Sequence, residues 1–188
     1  MFFLGSSGYS MELGKVYPRH AWLSLCPALF LSWCVSNIRD MSNLFELKRT
    51  FSDDLAYWDT ASVTTMTHMF AQCDNFNGDI STWDTSFVED MSYMFMAAAA
   101  FDGDLTWNTT RVVTMEGMFM GAYAFNSDIS SWDTSSVEVL DTMFTLTYVF
   151  SGNLSSWNTS QVTTMMGMFA GALIFNEDIN DWDTASVE

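Results

Sequence analysis

The sequence predicts an α/β fold, a solenoid with parallel strands on its concave side and short helices on its convex side. Three observations lead there: a tryptophan grid, a helix-like apolar spacing after each repeat's valine, and an alternating pattern around each tryptophan. The grid comes first. Trp33, Trp58, Trp83, Trp107, Trp132, Trp157 and Trp182 are separated by 25, 25, 24, 25, 25 and 25 residues. A fixed period in this range marks a repeat architecture. Other columns keep its phase. Thr60, Thr85, Thr109, Thr134, Thr159 and Thr184 follow two residues after Trp. Val63, Val88, Val112, Val137, Val162 and Val187 follow five after it, and Phe76, Phe101, Phe125, Phe150 and Phe175 recur later in each unit.

The helix is inferred from Val63, Met66, Met69 and Phe70, which fall at relative positions 0, 3, 6 and 7, one face of a helical period. Ser86 with Glu89 and Ser135 with Glu138 have capping-box spacing, and Gly121 and Gly171 sit where such helices should stop. Helices are expected near 62–71, 87–97, 111–121, 136–146 and 161–171. The strand is inferred from Ser131-Trp132-Asp133-Thr134-Ser135, in which Trp132 and Thr134 would face inward and the others outward. A right-handed β-helix is the runner-up, disfavoured because strands need a period of two. Parallel strands should be centred on the Trp-Asp-Thr triplets. The 24-residue repeat should lose its residue in the turn before Trp107, which should stay in the core.

Six units and the start of a seventh span residues 33–188. Glu188 falls inside a repeat, and no polar cap closes the array, so the expectation is a fragment of a longer one, ahead of an open edge covered by a partner. Residues 1–32 form a separate segment, read as a cap, a signal-like stretch or a mis-joined sequence. The apolar run at 21–35 follows Lys15 and Arg19 as a signal sequence's hydrophobic region would, and membrane association is expected only through it.

The formal net charge is −17. Residues 1–50 hold five bases and three acids; residues 51–188 hold twenty acids and one base, Arg111. Such a surface repels phosphate, so nucleic acid is excluded as a partner. Cys26, Cys34 and Cys73 have no zinc or redox spacing. His20 and His68 have no nucleophile at a repeatable spacing, and no phosphate-cradling glycine loop occurs. The chain is therefore expected not to be an enzyme, and the Met and Phe columns are read as core with no cofactor.

The most informative polar column lies directly after Trp: Asp59, Asp84, Asn108, Asp133, Asn158 and Asp183. It should project from the concave sheet among small hydroxylated residues. Asp59, Asp84, Asp133 and Asp183 are thus the candidate ligand or calcium face, since hard cations favour carboxylate oxygens, although no turn matches a standard calcium loop. A second column, Asp54, Asp79, Asp104, Asp128, Asn153 and Asp178, should cap local backbone. Asn108, Asn153 and Asn158 open N-glycosylation triplets; a glycan on Asn108 or Asn158 would obstruct the proposed face.

The run from Phe76 to Phe95, Phe-Asn-Gly-Asp-Ile-Ser-Thr-Trp-Asp-Thr-Ser-Phe-Val-Glu-Asp-Met-Ser-Tyr-Met-Phe, resembles the repeat of BspA-like leucine-rich-repeat surface proteins over about residues 33–188. The resemblance implies a leucine-rich-repeat-type solenoid, on a cell surface or secreted, with binding or adhesion roles in some members and no single ligand; the expected partner is a protein or carbohydrate at a surface. It brings no catalytic residue. The alternative function is a structural spacer within a longer protein.

Overall fold

The computed structural model describes residues 37–188 and the backbone of three short strands before them. These are β1 (Phe2–Leu4), β2 (Tyr9–Glu12) and β3 (Lys15–Pro18). They form an antiparallel sheet in the order β1-β2-β3, with Phe3 opposite Ser10 and Ser10 opposite Tyr17. The apolar run at 21–35 lies outside the described residues.

Residues 37–188 contain no α-helix and no extended strand. The expected α/β leucine-rich-repeat solenoid is therefore wrong. The segments near 62–71, 87–97, 111–121, 136–146 and 161–171 are successions of tight turns, and the Trp-Asp-Thr triplets are not paired strands. What the chain forms is a stack of coils of about 25 residues. Single parallel bridges join Asp40 to Thr65, Thr65 to Asp90, Asp90 to Thr114, Thr114 to Val139 and Val139 to Thr164.

The backbone shows why the helical reading failed. After Thr65, alternate amides have different destinations. The N–H groups of Met69, Ala71 and Cys73 close turns on the carbonyls of Met66, His68 and Phe70, three residues back. Those of Met66, His68, Phe70 and Gln72 leave the coil and donate to Asp90, Ser92, Met94 and Met96 of the next. A helix would send every one of these amides to the fourth residue back. His68 and Gln72 both have φ of 57°, the left-handed third position of a type II turn. A right-handed helix cannot contain such residues at four-residue intervals. Overlapping turns that each close over three residues still bring Met66, Met69, Phe70, Cys73 and Phe76 inward, so the apolar spacing imitated a helix face.

The left-handed slots are filled unevenly. Gly117, Gly121, Gly167 and Gly171 occupy them at φ of 55–73°, where glycine is unstrained. Tyr93, Ala97, Thr142 and Leu146 occupy them in other coils at a local cost. The capping boxes do not form: the Ser86 amide donates to Asp84, and the Glu89 amide donates to Thr64 of the preceding coil. Gly121 and Gly171 stop no helix.

The core consists of continuous ladders. Trp58, Trp83, Trp107, Trp132, Trp157 and Trp182 stack with ring centroids 6.1–6.5 Å apart. Phe70, Phe95, Phe119, Phe144 and Phe169 form a second column. Phe76, Phe101, Phe125, Phe150 and Phe175 form a third. Within a coil the two Phe columns touch closely, as at Phe119–Phe125, 3.7 Å between centroids. Tryptophan also serves the backbone. The Nε1–H of Trp83, Trp107, Trp132 and Trp157 donates to the carbonyls of Leu55, Ile80, Leu105 and Ile129. This bond satisfies the indole donor inside the core.

The short repeat behaves as expected at Trp107. In neighbouring coils a turn closes from the tryptophan amide to the aliphatic residue three back, as Trp83 to Ile80 and Trp132 to Ile129. Leu105-Thr106-Trp107 lacks one residue and that turn, yet Trp107 stays buried and stacked. The deletion is absorbed before the ring, as the grid requires.

Two outcomes test this packing. Trp132→Ala should lose about 3–5 kcal/mol, as other large-to-small core changes do, measured by denaturant unfolding. Gly117→Ala should lower the melting temperature for two separable reasons. It places alanine at φ 55°, and its Cβ would lie 2.4 Å from the Tyr93 ring. Adding Tyr93→Ala should relieve the second and leave the first, so the double variant should melt above Gly117→Ala alone.

Candidate functional site

All four candidate carboxylates, Asp59, Asp84, Asp133 and Asp183, are exposed. Each follows a buried or half-buried tryptophan, and successive coils line them up with Asn108 and Asn158. Their local geometry is uniform. The Oδ1 atoms of Asp59, Asp84, Asn108, Asp133, Asn158 and Asp183 accept from the amide two residues on: Ala61, Ser86, Thr110, Ser135, Ser160 and Ala185. These bonds run 2.9–3.2 Å. Each side chain thus holds its own turn, which explains why Asn replaces Asp in two coils: the turn needs an acceptor, not a charge. The carboxyls of Asp84 and Asp133 are held below the ordinary carboxylate range by the hydroxyls and then the amides of Ser86 and Ser135.

The second column does what its spacing suggested. Asp54, Asp79, Asp128, Asn153 and Asp178 accept from the amides of Ala56, Ser81, Ser130, Ser155 and Asn180. Asp104, in the short coil, has lost the turn it would hold.

Hydroxyls beside the acidic column latch coils together. Thr82 donates to the Ala56 carbonyl and Ser156 to that of Ser130. The buried Thr60, Thr85, Thr109, Thr134 and Thr159 donate at 2.9–3.0 Å to the carbonyls of Asp84, Asn108, Asp133, Asn158 and Asp183. The inward threonine column was legible as facing the same way as tryptophan. Its role as a rung between coils was not.

No group of three or more His, Cys, Asp and Glu that could hold a metal ion occurs among the described residues. Asn108, Asn153 and Asn158 are exposed, and each spends its Oδ1 on a turn. Cys73 is buried, its Sγ donates to the Phe45 carbonyl at 2.9 Å, and burial pushes its thiol up to about 12. It is therefore a weak nucleophile at neutral pH. His68 is stacked 4.8 Å from Tyr93. The Tyr93 hydroxyl donates to Glu116 Oε1, and that bond, then partial burial, push the phenol up to about 12. Tyr93 thus acts as a surface strut across coils.

One surface slot was missed by sequence reasoning because its residues differ from coil to coil. It holds Arg49, Asp74, Ala99, Tyr123, Tyr148 and Leu173. Arg49 and Asp74 form an ion pair at 2.9 Å. Tyr123 and Tyr148 stack at 5.1 Å while remaining 45% and 38% exposed. A departure from the repeat, on a frame that otherwise repeats, is the signal that could have found it.

A family model described as "Mycoplasma protein of unknown function, DUF285" matches the chain twice, over residues 28–106 and 103–188. No curated protein and no solved structure matches.

Replacing Asp133 tests the role of the acidic column. Asp133→Asn keeps the turn acceptor and should melt within about 0.5 kcal/mol of the parent, whereas Asp133→Ala should lose about 1 kcal/mol, as other side-chain caps do. The depressed Asp133 carboxyl contributes stability above its unfolded value, near 3.9. That contribution is lost as pH falls through its lower folded value. Asp133→Asn should therefore gain on the parent in acid, as melts at pH 3 and pH 7 would show. Destabilisation of Asp133→Asn in calcium but not in chelator would instead make the column a metal site.

Proposed function

We propose, from the premise that the chain belongs to this DUF285 family, that it is a non-enzymatic binding or adhesion module of a secreted or cell-surface protein. The observation that supports this reading is the contrast between frame and surface. Tryptophan, phenylalanine, threonine and both turn-holding Asp/Asn columns recur because each has a job inside the stack or its turns. The exposed slot from Arg49 to Leu173 has no such job and changes from charge pair to aromatic pair along the stack. A uniform frame carrying a varied surface suits recognition of a macromolecule or glycan better than chemistry on a small substrate. The similarity of the repeat to BspA-like surface proteins favours the same class. Calcium and N-linked glycans are modifiers of this reading, through the exposed Asp and Asn column.

The spacer reading has an observation of its own. The acidic column is occupied with holding turns, so it need not hold a ligand. The purified chain, screened against glycan and matrix-protein arrays with calcium and with chelator, separates the two. Saturable binding to a defined glycan or protein is the expected result. Uniform silence in both conditions would make the chain a spacer.

A further inference from the structure

We propose that an exposed apolar strip centred on Tyr123, Tyr148 and Val149 docks a cationic amphipathic segment of a partner protein. The inference rests on the binding-module reading and names the partner's chemistry. Arg49 and Asp74 fill the strip's slot in the first coils with a half-exposed ion pair, so the position is not part of the core. Further along the stack the same slot turns to Ala99, Tyr123, Tyr148 and Leu173. The adjacent slot changes likewise, from Thr50 and Asn75 to Val149 and Ile174. Val149 is 41% exposed. Tyr123 and Tyr148 stack on each other and leave their outer surface in water. Clustered apolar residues at the surface, where polar ones fit equally well, mark an interaction site.

Charge selects the occupant. From Val112 to Glu188 the chain has ten acids and no lysine or arginine. In chain order Glu116 precedes and Asp128 follows Tyr123, Asp141 precedes Tyr148, and Glu177 and Asp178 follow Ile174. An apolar strip on so acidic and base-free a stretch of chain complements a segment whose apolar face is flanked by lysine or arginine. A second copy of this chain would bring the same acids face to face, and an anionic lipid surface would be repelled likewise.

The test titrates the full chain, near physiological salt, with three synthetic amphipathic peptides: Leu/Lys, Lys/Ser of equal charge, and Leu/Glu. The Leu/Lys peptide should bind at least tenfold tighter than Lys/Ser, and Leu/Glu should not bind. Tyr123→Arg with Tyr148→Asp recreates the Arg49–Asp74 arrangement in the later coils. It should weaken Leu/Lys binding at least tenfold while leaving the thermal melt close to the parent's. Tyr148→Ser with Val149→Thr is a milder second variant with the same expectation. Equal binding of Leu/Lys and Lys/Ser, or full binding by either folded variant, overturns the strip as the site. So does a dimer in sedimentation that the Leu/Lys peptide leaves intact. A glycan or matrix hit indifferent to both variants would retain the binding module and discard the strip. Silence on the arrays with strip-dependent peptide binding would do the reverse.

Discussion

Between Met66 and Cys73, and in the same arc of the other coils, backbone amides are divided between the coil's own turns and its neighbour. The rest of the structure depends on this division. A buried amide left without an acceptor costs about as much as a lost hydrogen bond, so each coil must offer its successor carbonyls in the right places. Coil length is thereby nearly fixed. Fixed length is what keeps the Trp and Phe columns in phase over six units, and the columns exclude water from the amides they surround. Backbone pairing and ring stacking are thus two halves of one constraint.

The interior was legible from the sequence because it recurs. The tryptophan grid, the inward Thr134, the core position of Trp107 and the backbone role of Asp79 and Asp128 all follow from columns kept in phase. The secondary structure was not legible. An apolar spacing of 0, 3, 6 and 7 is shared by an α-helix and by chained turns, because both advance by three to four residues before returning to the same face. The distinguishing residues were present. Gly117 with Gly121 and Gly167 with Gly171 lie four apart in equivalent slots. Two glycines per unit argue for repeated left-handed backbone and against a helix interior. Tyr93, Ala97, Thr142 and Leu146 occupy the same slots and hide that signal.

At the candidate face the sequence located the residues and missed the turns they hold. Asp59, Asp84, Asp133 and Asp183 are exposed and aligned, but Asn108 and Asn158 in the same column show that an acceptor oxygen is what the turn requires. The aromatic strip escaped because repeat reading attends to what stays the same. Tyr123 and Tyr148 interrupt a slot begun by Arg49 and Asp74, and alignment of columns discounts such interruptions.

The divided amides also give the stack an electrostatic direction. In an ordinary sheet, strand dipoles largely cancel. Here Met66, His68, Phe70 and Gln72 all point their N–H groups toward the following coil, and the carbonyls that receive them all face back. Thr64, Thr65 and Asn75 point the other way, to Arg39 and Arg49, but they are outnumbered. Peptide dipoles in this arc therefore add from coil to coil, much as they do along a helix axis. Each additional repeat lengthens an aligned column of partial charge, positive toward later coils and negative toward earlier ones. The bases of residues 39–49 and the base-free stretch after Arg111 are arranged in the sense that such a field favours.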